Sequence, residues 1–243
     1  MPLEVVARTT FEKRGWEVRS QLFFYDKEQD TSRYVDLAAI KAIDKNFLKF
    51  KRLNYTIVAE CKKSDKPWVF YTPSTKFLTD EWDFATLAYV RPFSNLPLEP
   101  KEVLKFLKKN HYVSDKPVDR YAVASYVPFN ADDQIFKATN QVLKGLQHQM
   151  EWFQQVTKDT SVPPILVVYY PAIIFDGNMF EYVLDNKEEP KLTQTNYVKY
   201  DVTYHLRSKP SESESFLIDV ITKEFLGEYI TMIEREMETL LGS

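Results

Sequence analysis

Hydrophobic positions fall in runs whose spacing changes along the chain, and that spacing assigns the elements. Leu3, Val6, Ala7, Thr10 and Phe11 recur at helical intervals, and Gly15 can accept a left-handed helix end, which predicts a first helix over about residues 2–14. Trp16, Val18 and Leu22–Tyr25 predict a first strand, Tyr34–Ile43 a second paired with it, and Tyr55–Cys61, rich in β-branched residues, a third. Val69–Tyr71 reads as a short continuation. Residues 73–130, punctuated by prolines at 73, 92, 97, 100, 117 and 128, read as an insertion with a helix over Lys101–Asn110 and a strand over Tyr121–Val127. Asp132 and Asp133 offer N-cap oxygens to a long helix ending near Val156, whose apolar face is Ile135, Val142, Leu146, Met150 and Phe153. Ile165–Tyr170 has the unbroken apolar character of a strand buried on both faces. Ile173–Leu184, interrupted by Asp176-Gly177-Asn178, reads as a hairpin. Tyr197–Leu206 reads as a strand, Ser208–Ser215 as a solvated loop and Phe216–Leu241 as a closing helix. This order predicts a single α/β domain over residues 1–243, with a mixed central sheet flanked by helices.

Composition narrows the chemistry. Hydrophobic residues make up 44% of the 243 and aromatics 15%, enough for a packed core. The net charge of −3 divides unevenly: residues 1–70 hold 14 Lys+Arg against 10 Asp+Glu, and residues 71–243 hold 18 against 25. The single cysteine, Cys61, excludes an internal disulfide framework and a multi-cysteine zinc site, and a reducing, cytoplasmic setting is expected. No apolar run reaches the roughly 18 residues of a membrane span. The five glycines are too scattered for a phosphate-cradling loop, so no nucleotide cofactor is expected. His111, His148 and His205 lie far apart, which leaves carboxylates and lysines as the reactive groups.

Glu60 and Lys62 stand two apart at the end of a strand, so both point to one face. Asp36 lies in the preceding strand. Carboxylates from two adjacent strands can share one divalent cation, and the oxygen preference of Mg²⁺ suits them. Acid-x-Lys alone says little, since it also occurs at Glu99/Lys101, Asp185/Lys187 and Glu189/Lys191. Only Glu60/Lys62 ends an apolar strand, where charge is costly unless paired or metal-bound. Spacing leaves two readings open, an ion pair of Lys62 with Glu60 or Asp36, or a metal site.

At these residues, R-Y-V-D-L-A-A-I followed by Y-T-I-V-A-E-C-K-K-S and K-P-W-V-F-Y, the chain resembles the PD-(D/E)xK nuclease superfamily, nearest to restriction-endonuclease-like and Mrr-like proteins and archaeal junction resolvases. The resemblance covers residues 1–70 and extends less closely to the long helix and the strands near 165–184. It implies an αβββαβ core over residues 1–72 and 131–185, DNA as partner, and Mg²⁺- or Mn²⁺-dependent phosphodiester hydrolysis in restriction, defence or repair. Asp36 and Glu60 stand at the metal-binding acids, Lys62 at the motif lysine and Glu4 at the helix-one acid, with Glu12 competing for that last role. The Cys61 backbone carbonyl would complete the metal shell. Val35 stands where the name-giving proline would be. The superfamily also contains members without catalysis, so a module that only binds nucleic acid or a protein is the alternative.

Basic residues add a nucleic-acid expectation. Lys41, Lys45, Lys49, Lys51 and Arg52 crowd the connection between the two motif strands, and Lys63 and Lys66 follow the second, where they could meet phosphates. Gln134, Lys137, Gln141 and Lys144 form a polar stripe on the long helix, and Gln141 and Lys144 are candidates to reach the DNA. Trp68, Trp82 and Trp152 could stack on bases but suit packing better. Residues 210–243 hold eight acids against two bases, and their apolar positions exceed one stripe, which leaves room for a homodimer.

Overall fold

The computed structural model describes residues 1–26, 29–44, 46, 49–73, 92–95, 122, 124–127, 133–158, 161–184, 191–205 and 213–241. The expected helix over Lys101–Asn110, most of the insertion, Lys45, Trp82, His111 and Asp132 lie outside these residues.

The protein is α/β with mixed sheets. Helix α1 (Leu3–Glu12) is followed by strands β1 (Glu17–Asp26), β2 (Thr31–Ile43) and β3 (Arg52–Lys63), then β4 (Trp68–Pro73), β5 (Pro92–Ser94) and β6 (Ala124–Tyr126). Helix α2 (Gln134–Val156) leads to β7 (Ile165–Asp176), β8 (Met179–Leu184), β9 (Lys191–Gln194), β10 (Tyr197–His205), β11 (Ser213–Thr222) and the C-terminal helix α3 (Leu226–Leu241). The main sheet runs β1-β2-β3-β7-β11-β10, with β5 also on β7, and a smaller sheet runs β6-β4-β8-β9. β1, β2 and β3 form an antiparallel meander, while β7 lies parallel to β3 from Arg52↔Ile165 to Lys63↔Asp176.

Period-two alternation divides the core. Tyr55, Ile57, Ala59 and Cys61 of β3, with Val168, Tyr170, Ala172 and Ile174 of β7, pack against α1 and α3. Val58, Val167, Tyr169, Ile173 and Phe175 pack against Ile135, Val142, Leu146 and Phe153 of α2. β7 is therefore covered on both faces, as its unbroken apolar run requires. Pro171 lies within it, but β5 pairs only up to Val168 and β11 only from Ala172, so the missing N–H falls between two ladders. Asp133 caps α2 by accepting from the Phe136 N–H.

Three expectations change. Residues 173–184 are not a hairpin: β7 continues to Asp176, turns at Gly177, and β8 enters the smaller sheet parallel to β4. The pair β3/β7 thus continues as the pair β4/β8, with the Ser64 N–H bonding the Asp176 carbonyl and the Trp68 N–H the Asn178 carbonyl. β4 belongs to that sheet and does not prolong β3. A Cβ on Gly177 would stand 2.5 Å from the Ser64 carbonyl oxygen, which explains the glycine at this turn. Second, Ser213–Thr222 is a strand between β7 and β10, not loop and helix; Phe216, Ile218 and Val220 face α2, and the closing helix starts only at Leu226. Third, Leu226, Tyr229, Ile230, Ile233 and Met237 of α3 fill the core of their own chain, which accounts for apolar positions in excess of one stripe. Among the described residues, no helix is long and apolar enough to cross a membrane.

Candidate functional site

β2 and β3 are hydrogen-bonded from Ile43↔Leu53 only to Leu37↔Ala59, although both run on. Beyond that pair β2 stays with β1 as far as Thr31↔Asp26, and β3 stays with β7 as far as Lys63↔Asp176. The sheet forks. Asp36 and Glu60, the next two opposed positions, stand in the crotch.

A local twist aims Asp36 there. Val18 and Leu37 pack on the α1–α3 face, whereas Leu22 and Val35, of the same parity on their strands, pack on the α2 face. Both strands therefore exchange faces at Gln21 and Asp36, and Gln21 carries the left-handed φ of 50° that such a reversal needs. The Asp36 carboxylate consequently points across toward β3, where its Oδ2 accepts the Cys61 N–H at 2.7 Å in place of the lost ladder bond. N–H and C=O of one extended residue point to the same side, so the Cys61 carbonyl also looks into the fork.

Glu60 is 1% exposed, and its Oε1 accepts from Lys62 Nζ at 2.5 Å. Its carboxyl lies within proton-sharing reach of Asp36, yet Oε2 is buried with no fixed donor. Burial, then the neighbouring Asp36 charge, push the Glu60 carboxyl up to about 7, against the pull of Lys62. Burial also raises the Asp36 carboxyl; the Cys61 N–H and Lys62 oppose this, and Glu4 adds to it. Two carboxyl groups thus share a space that admits a proton or a cation and disfavours two bare charges. Glu4 is solvent-exposed, and with Arg8, Ser20, Gln21, Tyr34 and Asp36 it lines a cleft of about 380 Å³ that opens the fork to solvent at the start of α1. Glu12 lies on the same helix but is paired with Arg8. Burial raises the Cys61 thiol far above its ordinary value, so it is no nucleophile.

The divalent-cation expectation has mixed support in this geometry. No three His, Cys, Asp or Glu side chains group to hold a metal among the described residues. The donors that do converge are Asp36, Glu60 with its unpartnered buried oxygen, and the Cys61 carbonyl, a hard oxygen set that fits Mg²⁺ or Mn²⁺ with water completing the shell.

The remaining expected residues that the structure describes are not brought to the fork. Lys49, Lys51 and Arg52 precede or open β3, whose far end carries Glu60, so the basic connection lies some eight residues away, roughly 26 Å along the strand. There Lys49 stands over the Phe50 ring and Arg52 pairs with Asp44. Lys41 bonds Glu234 of α3, which also holds Arg14 and Trp16. Lys63 pairs with Asp176 at 3.8 Å at the strand end. Gln141 donates to the Tyr34 carbonyl and Lys144 to the buried Asp26, so both fasten the β1–β2 hairpin to α2 and do not face the acids. Trp68 is core, stacked on Phe175 at 4.0 Å, and Trp152 lies under Arg19.

Sequence reasoning missed Ser20, Gln21 and Tyr34 of the cleft, whose positions depend on the face reversal. It also missed a buried polar cluster beneath α3. There Lys199 Nζ, Tyr197 Oη and Tyr229 Oη all donate to Asp219, and Tyr170 Oη donates to Glu236. Burial pushes the Lys199 ammonium down to about 8 against the pull of Asp219. A lysine directly opposite an aspartate on paired strands is the signal, and it exists only once β11 is a strand. Comparisons with protein-family models, with curated proteins and with solved structures found no match to this chain.

Proposed function

We propose that the chain is a Mg²⁺- or Mn²⁺-dependent deoxyribonuclease with a restriction-endonuclease-like core of the PD-(D/E)xK kind, cutting phosphodiester bonds in restriction, defence or repair. The observation that carries this reading is the fork, where Asp36, Glu60 and Lys62 meet at the one point where the meander opens. The element order α1-β1-β2-β3 followed by α2-β7, with β7 parallel to β3, agrees with the core that the resemblance implies.

Asp36, Glu60 and the Cys61 carbonyl would hold the ion. When bound, such an ion lowers the pKa of a coordinated water and offsets phosphate charge. The Cys61 N–H fixes the Asp36 carboxylate and leaves its second oxygen for the shared space. Lys62, part-exposed and bonded to Glu60, stands beside the acids, where it would hold a water or a developing phosphate charge. Glu4 lines the cleft from α1, where its charge would tune the ion's surroundings.

One observation favours a non-catalytic reading: Lys62 closes on Glu60, the ion pair that spacing alone allows. Plasmid cleavage with Mg²⁺ and Mn²⁺ separates the two. Metal-dependent cutting by the wild type should fall about a hundredfold or more in Lys62→Ala and in Asp36→Asn. Cutting that both variants retain refutes the nuclease assignment of this site, and no cutting, with no Mn²⁺ bound by the wild type, supports a binding module.

A further inference from the structure

The β1–β2 hairpin beyond the fork has one covered face and one bare face. Toward α2 it presents Leu22, Phe24 and Val35, which pack on that helix, and Asp26, held by Lys144 and Arg33. The other face presents Phe23, Tyr25 and Tyr34, which are 66%, 55% and 42% exposed. Phe23 and Tyr34 are direct cross-strand partners with ring centroids 5.8 Å apart. Tyr25 stands two residues farther along β1, its hydroxyl tied to Asp30. In the other direction the same row meets Gln21 and Asp36, and Tyr34 itself lines the cleft. The aromatic row therefore runs along the hairpin toward the cleft and Asp36.

We infer that this row is a stacking platform for unpaired bases, so that the substrate is a single-stranded or splayed nucleic-acid segment led along the hairpin into the fork. The inference rests on the nuclease reading for its direction but not for its contacts. Ring faces and base faces stack whatever the base, and no pairing edge is needed. Side chains at alternate strand positions stand about 7 Å apart, the separation at which two rings can hold one base between them. A duplex hides its base faces and has no use for such a row. Arg8, paired with Glu12, lines the cleft where the row meets it, and a backbone phosphate there would compete with Glu12 for its guanidinium. A second copy of the chain fits poorly, because the three rings expose together roughly 300 Å², far below the about 800 Å² per partner of a stable interface.

The test uses the full chain and fluorescence anisotropy, with Ca²⁺ in place of Mg²⁺ and a fluorescein-labelled oligothymidylate set against a blunt duplex of equal length. The wild type should prefer the oligothymidylate. Phe23→Ala and Tyr34→Ala should each weaken it about tenfold or more and leave duplex binding unchanged. Phe23→Trp should bind like the wild type, and its new fluorescence should be quenched by the oligonucleotide. This last variant keeps the test valid if an alanine variant folds poorly. Alanine variants that bind as tightly as the wild type overturn the inference, as does a duplex preference or a dimer that dissociates in Phe23→Ala. The two readings fail separately. Phe23-dependent binding without metal-dependent cutting keeps the platform and sinks the nuclease. Lys62-dependent cutting that Phe23→Ala and Tyr34→Ala leave untouched on single strands keeps the nuclease and sinks the platform.

Discussion

Glu60 makes the metal-free protein less stable as pH rises. In the unfolded chain its carboxyl titrates near 4.5, and in the folded state near 7. Below the lower value both states are protonated and the group contributes nothing. Above the upper value the folded protein must hold a buried carboxylate beside Asp36. The interval from 4.5 to about 7 corresponds to roughly 3 kcal/mol of stability, lost progressively across that window as pH rises. Asp36, also raised, adds to the loss. Glu60→Gln removes the ionisation while keeping the shape. In EDTA, urea unfolding followed from pH 5 to pH 8 should show the variant gaining on the wild type. At pH 8 it should be the more stable by up to about 3 kcal/mol, less whatever Lys62 loses with its partner, a shift of several degrees in Tm at this chain length. Mn²⁺ at a hundredfold over its Kd should restore about 2.7 kcal/mol to the wild type and nothing to Glu60→Gln. A stability difference between the two that is flat across this pH range refutes the account of the fork as a space for a proton or a cation.

Other outcomes follow from the same geometry. Mn²⁺ affinity, measured by calorimetry, should fall about tenfold per pH unit below 7 as a proton takes the ion's place, and a pH-independent affinity would separate metal binding from Glu60. Gly177→Ala should destabilise the protein by about 1–3 kcal/mol in chemical denaturation, because the new methyl meets the Ser64 carbonyl at 2.5 Å; an unchanged midpoint would show that the turn relaxes freely. Lys199→Met should cost roughly 3 kcal/mol by leaving Asp219 without its cation, and Lys199→Met with Asp219→Leu should recover most of it. A double variant no better than the single one would mean that the tyrosines, not the lysine, secure this cluster.

The local pattern of residues determined most of the elements. Helical spacing located α1 and α2, and β-branched or unbroken apolar runs located β3 and β7, because burial on one face or two leaves a direct periodic trace. It failed at β11, where SESFLIDVIT begins with polar residues that resemble a loop and continues with an apolar stretch that a buried strand and a helix write alike. It failed at β8 because a parallel partner 111 positions upstream in the chain leaves no mark beside a turn that looks like a hairpin. Asp36, Glu60 and Lys62 were legible as a set, since a charged pair ending an apolar strand is a local anomaly. Their convergence was not, because it depends on where the β2–β3 ladder ends and on a face reversal at Gln21. The same long-range geometry removed the basic connection from the site. Lys49 and Lys51 are close to the acids in sequence, but a strand carries its two ends apart by its full length, and only the tertiary structure decides which end holds the chemistry.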